Sequence, residues 1–176
     1  MKINYIGIIA AILAFSSLFL PWFTIKLWTE NMSSIIDFSA NLYQLTGTVE
    51  GVTESMFLIV WFNGGAFVLM LTTFLACIVS STFAKRRRLL FFISCALSLV
   101  AMLVFGYGLA NSNFAVEEIN PGYTISLFPE GSFGLSAEQA MQNSYSYSWD
   151  IGIGFWLALV TAIFALIAAL MSRRFS

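Results

Sequence analysis

Reactive side chains are sparse in this chain, and their positions restrict the chemistry it can carry. Its 176 residues include no histidine, which removes the commonest general base, metal ligand and haem ligand. Carboxylates are the next candidates for acid–base or metal chemistry. There are nine acids, and the adjacent pair Glu117-Glu118 would point in different directions in either a helix or a strand. No segment spaces acids like a dedicated calcium loop, so solvated carboxylates are the expectation. The two cysteines, Cys77 and Cys95, fall within long apolar runs and read as small packing residues. No glycine-rich phosphate loop follows a strand, and no nucleophilic serine elbow occurs. The expectation is a protein that is not an enzyme and carries no cofactor and no metal.

Binding is the chemistry that remains. Tyr145, Tyr147 and Trp149 alternate with serines, a pattern that suits a strand edge, an aromatic belt at a membrane surface or a platform for sugar stacking. Trp28, Tyr43, Tyr123 and Phe128 are the other aromatic candidates for an interaction surface. Asn63-Gly64-Gly65 interrupts an apolar run about two turns inside its expected helix end, where glycines permit close packing, a kink or a ligand-binding break. Asn31-Met32-Ser33 matches the glycosylation sequon.

The elements that must position these residues follow from composition. The chain is 59% hydrophobic and only 10% charged, against about 45–50% and about 25% in soluble domains. Four segments, 3–23, 57–82, 89–110 and 151–171, reach the ~20 apolar residues that cross a bilayer core, and none contains Asp, Glu, Lys, Arg or His. Lys2 ahead of an apolar run with Ala14, Ser16 and Ser17 also suits a secretory signal. That run continues through Leu18-Phe19-Leu20 to Trp22-Phe23, so an uncleaved helix is expected. The expected fold is an all-α transmembrane four-helix bundle, in one membrane domain, with a small extracellular β-containing cap formed by two outer loops.

Charge orients this bundle. Lys85-Arg86-Arg87-Arg88 lies between the second and third apolar segments, and short loops rich in Lys and Arg stay cytoplasmic. With the turn 83–88 inside, Lys2, Arg173 and Arg174 fall on the same side, and both termini are cytoplasmic. Lys26 and all nine acids then lie outside, so +7 faces −8 across the bilayer. A multi-pass protein of the cell (plasma) membrane is expected, with membrane lipids as partners and no nucleic acid. The negative outer face would attract cations or basic partners.

Outer loops 24–55 and 111–150 hold the remaining structure. Thr24 to Trp28 alternates like a strand, and Asp37 to Glu50 is rich in strand formers, with Gly47 and Gly51 placed as turns or bulges. Two or three short strands are expected there. In the second loop, Asn120-Pro121-Gly122 marks a turn and Tyr123 to Phe128 a strand. Ser136 with Gln139 suggests a capped short helix over 137–143. All five tryptophans fall towards the outer side, which suits interfacial anchoring. Gly154, Ala158 and Ala162 form the clearest small-residue stripe, with Thr161, Ala165 and Ala169 in a neighbouring row. That places the fourth helix against the first or third.

Four spans with cytoplasmic termini, a strand-bearing first outer loop and Leu20-Pro21-Trp22 leading to Trp28 resemble the claudin and peripheral-myelin-protein tetraspan superfamily. The first-loop cysteine pair typical of claudins is absent, so their paracellular role is not carried over. Gly152 to Ala158 also looks like helix four of uncharacterised prokaryotic four-span proteins, which implies no activity. The expected function is lateral assembly or cell-surface protein–protein interaction through the outer loops, as a homo-oligomer or as an accessory subunit with other membrane or surface proteins. The alternative is a small channel or channel-modulating subunit, with a passive pore lined by Ser, Thr and Asn63.

Overall fold

Four apolar helices and one antiparallel sheet make up the computed structural model, which describes residues 3–29, 34–49, 52–57, 61–82, 87–111 and 145–172. Helix α1 (Tyr5–Phe19) opens at Asn4, whose side chain accepts a hydrogen bond from the Gly7 N–H at 3.2 Å. It closes at Leu20, which is extended (φ −88°, ψ 153°). Pro21 imposes that stop, because its ring disfavours helical geometry in the residue before it. The helix therefore ends four residues short of the expected Phe23, which instead begins strand β1 (Phe23–Thr29). Fifteen residues rise only about 22 Å, less than a hydrocarbon core of about 30 Å.

Three helices are long and apolar enough to cross a membrane: α2 (Trp61–Thr82), the Arg87–Gly108 part of α3 (Arg87–Asn111), and α4 (Ile153–Met171). Contacts link α1 to α2, α2 to α3, α3 to α4 and α4 back to α1, so the four close into a ring with α4 against both α1 and α3. Small residues on the inner faces allow this approach. Gly154, Ala158, Thr161, Ala162, Ala165 and Ala169 of α4 are all buried, as are Gly7, Ala10, Ala11 and Ala14 of α1. Bulky residues such as Ile12, Val68, Leu103 and Leu170 point outward and are exposed. An apolar exterior around a core in which small and hydroxyl side chains pack with a few large ones such as Phe62, Met70 and Phe91 is the arrangement expected of a bundle solvated by lipid tails.

Hydroxyls inside the bundle are satisfied by backbone. Thr73 donates to the Leu69 carbonyl, Ser94 to Leu90 and Thr161 to Leu157, each one turn back at 2.8–2.9 Å. Among the described residues, bonds from two hydroxyls cross between helices: Ser17 to the Gly154 carbonyl at 2.9 Å, and Ser98 to the Ala158 carbonyl at 2.7 Å and to the Met70 sulfur at 3.6 Å.

The sheet contains β1, β2 (Ser34–Ala40), β3 (Gln44–Val49), β4 (Val52–Phe57) and β5 (Tyr145–Ile151), in the order β4-β3-β2-β1-β5. All neighbours are antiparallel. The first connection thus supplies four strands where two or three are expected. It also claims Phe57, which pairs with Gln44, so α2 starts at Trp61 rather than at 57. A continuous apolar run is compatible with either element, and here strand pairing takes its first part. Gly47 is neither turn nor bulge: it sits inside β3, paired with Phe38 and Glu54. The irregularity falls between Leu27 and Trp28. Gly51, the turn at 120–122, the strand at 123–128 and the helix at 137–143 lie outside the described residues.

Candidate functional site

Chain geometry brings both links between sheet and bundle to one point. After α1, the Trp22 N–H donates to the Ala40 carbonyl at 2.8 Å, and its indole Nε1 donates back to the Ser17 carbonyl at 2.8 Å. After β5, the Gly152 N–H donates to the Trp22 carbonyl at 2.9 Å and the Gly154 N–H to the Pro21 carbonyl at 2.7 Å. Both glycines are required by space. A Cβ on Gly154 would lie 2.5 Å from the Leu20 carbonyl oxygen and from the Trp22 ring, and one on Gly152 would collide with the Pro21 carbonyl. Trp22 is fully buried, with Phe105 and Phe155 edge-on at 5.1 and 5.6 Å. Its expected role as an interfacial anchor is therefore corrected, because its polar edge finds a carbonyl inside the protein. Trp61 and Trp156, by contrast, are exposed at the same end of the bundle.

A third attachment comes from the β2–β3 turn. The Asn41 side chain accepts from the Tyr43 and Gln44 N–H groups at 3.0 and 2.7 Å, and this closes a tight turn. Leu42 at its tip is fully buried in the cluster containing Trp22 and Phe62. The Tyr43 ring packs near Phe19 and Phe67, with centroids 6.1 and 6.2 Å away. Three attachments hold the sheet to the end of the bundle at which α1 finishes and α4 begins.

Register then sorts the strand residues into two faces, since directly paired residues share a face and successive ones alternate. One face carries Phe23, Ile25, Leu27 and Thr29 of β1, Ile36 and Phe38 of β2, Leu45, Gly47 and Val49 of β3, Val52, Glu54 and Met56 of β4, and Tyr145, Tyr147 and Trp149 of β5, so it is mainly apolar with one acid on the edge strand. The other carries Thr24, Lys26, Asp37, Ser39, Gln44, Thr46, Thr48, Thr53, Ser55, Ser146, Ser148 and Asp150, with Trp28 and Phe57 as its aromatic members. At the bundle end the two faces differ in burial: Phe23 and Ala40 are buried, whereas Asp150 is exposed. Among the described elements, no helix is laid along either face.

The aromatic candidates are partly assembled by this register. Tyr145, Tyr147 and Trp149 stand on the apolar face opposite Thr29, Leu27 and Ile25, whereas Trp28 occupies the polar-face register opposite Ser146. Tyr43 belongs to the attachment turn. Tyr123, Phe128, Asn31, Lys85 and Arg86 lie outside the described residues. Asn63 is the third residue of α2, not two turns within it, and is buried with its Oδ1 accepting from the Gly64 N–H at 2.8 Å. Its misplacement follows directly from the late start of the helix. Among the described residues, no three His, Cys, Asp or Glu side chains cluster to hold a metal.

Sequence reasoning missed Leu42, Gly152 and the buried role of Trp22. Two glycines at the start of the fourth apolar run and a Pro-Trp at the end of the first are the signals that could have paired these segments. No protein-family model matches the chain, and no curated protein matches it.

Proposed function

We propose that this is a non-enzymatic four-span membrane protein that assembles laterally with a second copy of itself through the apolar face of its sheet. One observation carries the reading: the register gathers aliphatic and aromatic residues from all five strands onto a single face, with Glu54 on the edge strand β4 as its one charged member. A one-sided sheet buries its apolar face against another layer, and no described helix covers this one. Five strands about 4.8 Å apart and about 20 Å long span on the order of 400 Å², the size at which apolar patches on monomers are often functional. Copies inserted in one membrane with a common orientation would present such faces at the same height, which suits a two-fold interface.

The four-span reading places the sheet outside and the termini in the cytoplasm by its cation distribution. In that reading α1 spans with the help of its flanking residues, since a short helix is accommodated by thinning of the bilayer or by oligomerisation. The strand-bearing first connection supports the likeness to the claudin and peripheral-myelin-protein superfamily, while both cysteines lie in helices. The channel alternative draws less support, because hydroxyls inside the ring already donate to carbonyls.

Self-association in lipid nanodiscs, measured by subunit counting, tests the reading. Wild type is expected to form dimers or larger assemblies, and Tyr147→Lys to shift them at least tenfold towards monomer. Ser148→Lys, one register position away on the polar face, is the control for strand disruption. A strictly monomeric wild type, or an unchanged Tyr147→Lys, would sink the idea.

A further inference from the structure

Among the described strands, the register places a single charged residue, Glu54 of the edge strand β4, on the apolar face of the sheet. Its cross-strand row runs through all five strands: Glu54 pairs with Gly47, Gly47 with Phe38, Phe38 with Ile25 and Ile25 with Trp149. Val52 and Met56 hold the neighbouring positions of the same face on β4, and Leu45 and Val49 the diagonal ones on β3. β3 is the strand paired with β4 among the described residues, and it sets no titratable or charged residue opposite Glu54 on this face. Elsewhere on the face the titratable residues are Tyr145 and Tyr147 of β5, phenols of a kind that ionises only near about pH 10.

Cations are missing from this face by sequence and register together. Of the eight Lys and Arg residues, Lys26 is the one that falls within a strand. It occupies the opposite face, paired with Asp37 and diagonal to Asp150. The acids of the polar face thus have a cation in their own row or the next one, and Glu54 has none. A second copy of the apolar face brings no cation either, only another Glu54. Two such faces in contact set carboxyls among apolar residues, with like charge as the nearest alternative. Desolvation and like charge both disfavour an ionised carboxylate, so a carboxyl in such a contact is held neutral.

We propose that Glu54 couples self-association through this face to proton uptake, so that copies join with its carboxyl neutral and part when it ionises. The inference rests on the reading of the face as a contact between copies. An exposed glutamate carboxyl titrates at about pH 4.3. Contact favours the neutral form, so each joining copy takes up as much as one proton at this residue. Association is therefore strongest at acidic pH, and it weakens as pH rises through the range in which the carboxyl ionises within the contact.

Förster transfer between labelled copies in liposomes provides the test, titrated over the protein-to-lipid ratio at about pH 5 and about pH 7.5, with buffer equilibrated on both sides. Wild type is expected to associate at least tenfold more tightly at the lower pH. Glu54→Gln should associate at the higher pH as tightly as wild type does at the lower, and should lose the dependence, whereas Glu54→Asp should keep it. Asp150→Asn, on the polar face, should behave as wild type, which separates Glu54 from a general loss of negative charge. Wild-type assemblies of equal strength at both pH values would overturn the proposal and leave Glu54 as a charge that only guards a sheet edge. A full pH dependence in Glu54→Gln would overturn it equally. If wild type and Glu54→Gln both stay monomeric at both pH values, the self-association reading itself fails, and the proton linkage with it.

Discussion

The two ends of the bundle join α1 to α4 by different means. At the sheet end, the bonds from Trp22, Ser17, Gly152 and Gly154 run 2.7–2.9 Å to backbone carbonyls, beneath a fully buried indole. At the opposite end, the contacts through Asn4 run 3.2–3.5 Å. One end is specified by shape and fails when volume changes. The other is specified by longer bonds through one polar side chain, and yields to softer perturbations. The tightly packed end is the one that carries the sheet, which holds the sheet in a fixed orientation on the bundle.

Trp22→Ala is the change expected to break the sheet end most completely. It removes the buried indole and its bond to Ser17, and large-to-small core changes of this kind cost about 3–5 kcal/mol. Thermal unfolding in detergent should register it as the largest loss in a substitution series. Gly154→Ala attacks the same joint by overpacking, since the new methyl meets the Leu20 carbonyl and Trp22. About 1–3 kcal/mol is expected, with Gly106→Ala as a near-neutral control, because nothing lies within 4 Å of a Cβ there. Asn4→Ala at the opposite end loses an N-cap and should cost about 1 kcal/mol by the same assay. If it equalled Trp22→Ala, the contrast between the ends would be wrong. Lys26→Gln is the mildest. Lys26 pairs in register with Asp37 and with Ser148, two residues from Asp150, so a few tenths of a kcal/mol, diminished by salt, is the expected loss.

Much of the bundle is legible in the residue order because lipid-crossing helices need long uncharged runs, and this chain has four. The burial of Ser94, Ser98 and Ala101 along α3 is legible too, since small residues recur there at helical spacing. Helix ends are not. Phe57 opens an apolar run that suits the start of α2, yet it pairs with Gln44 as the last residue of β4, and hydropathy alone does not choose between them. The candidate site is legible as a list of aromatics and not as a surface. Tyr147 and Leu27 are 120 positions apart in sequence, and only the pairing of β1 with β5 puts them side by side.

By itself, then, the sequence determined the apolar class of the protein, its long helices and the segregation of cations from acids, because each depends on local composition or on simple order along the chain. Tertiary structure alone decided which face of the sheet is apolar, which tryptophan is buried and where the two glycines must sit. Those properties arise from contacts between separate elements, some of them more than a hundred positions apart in the chain, where a single Cβ or a one-residue slip in register reverses the outcome.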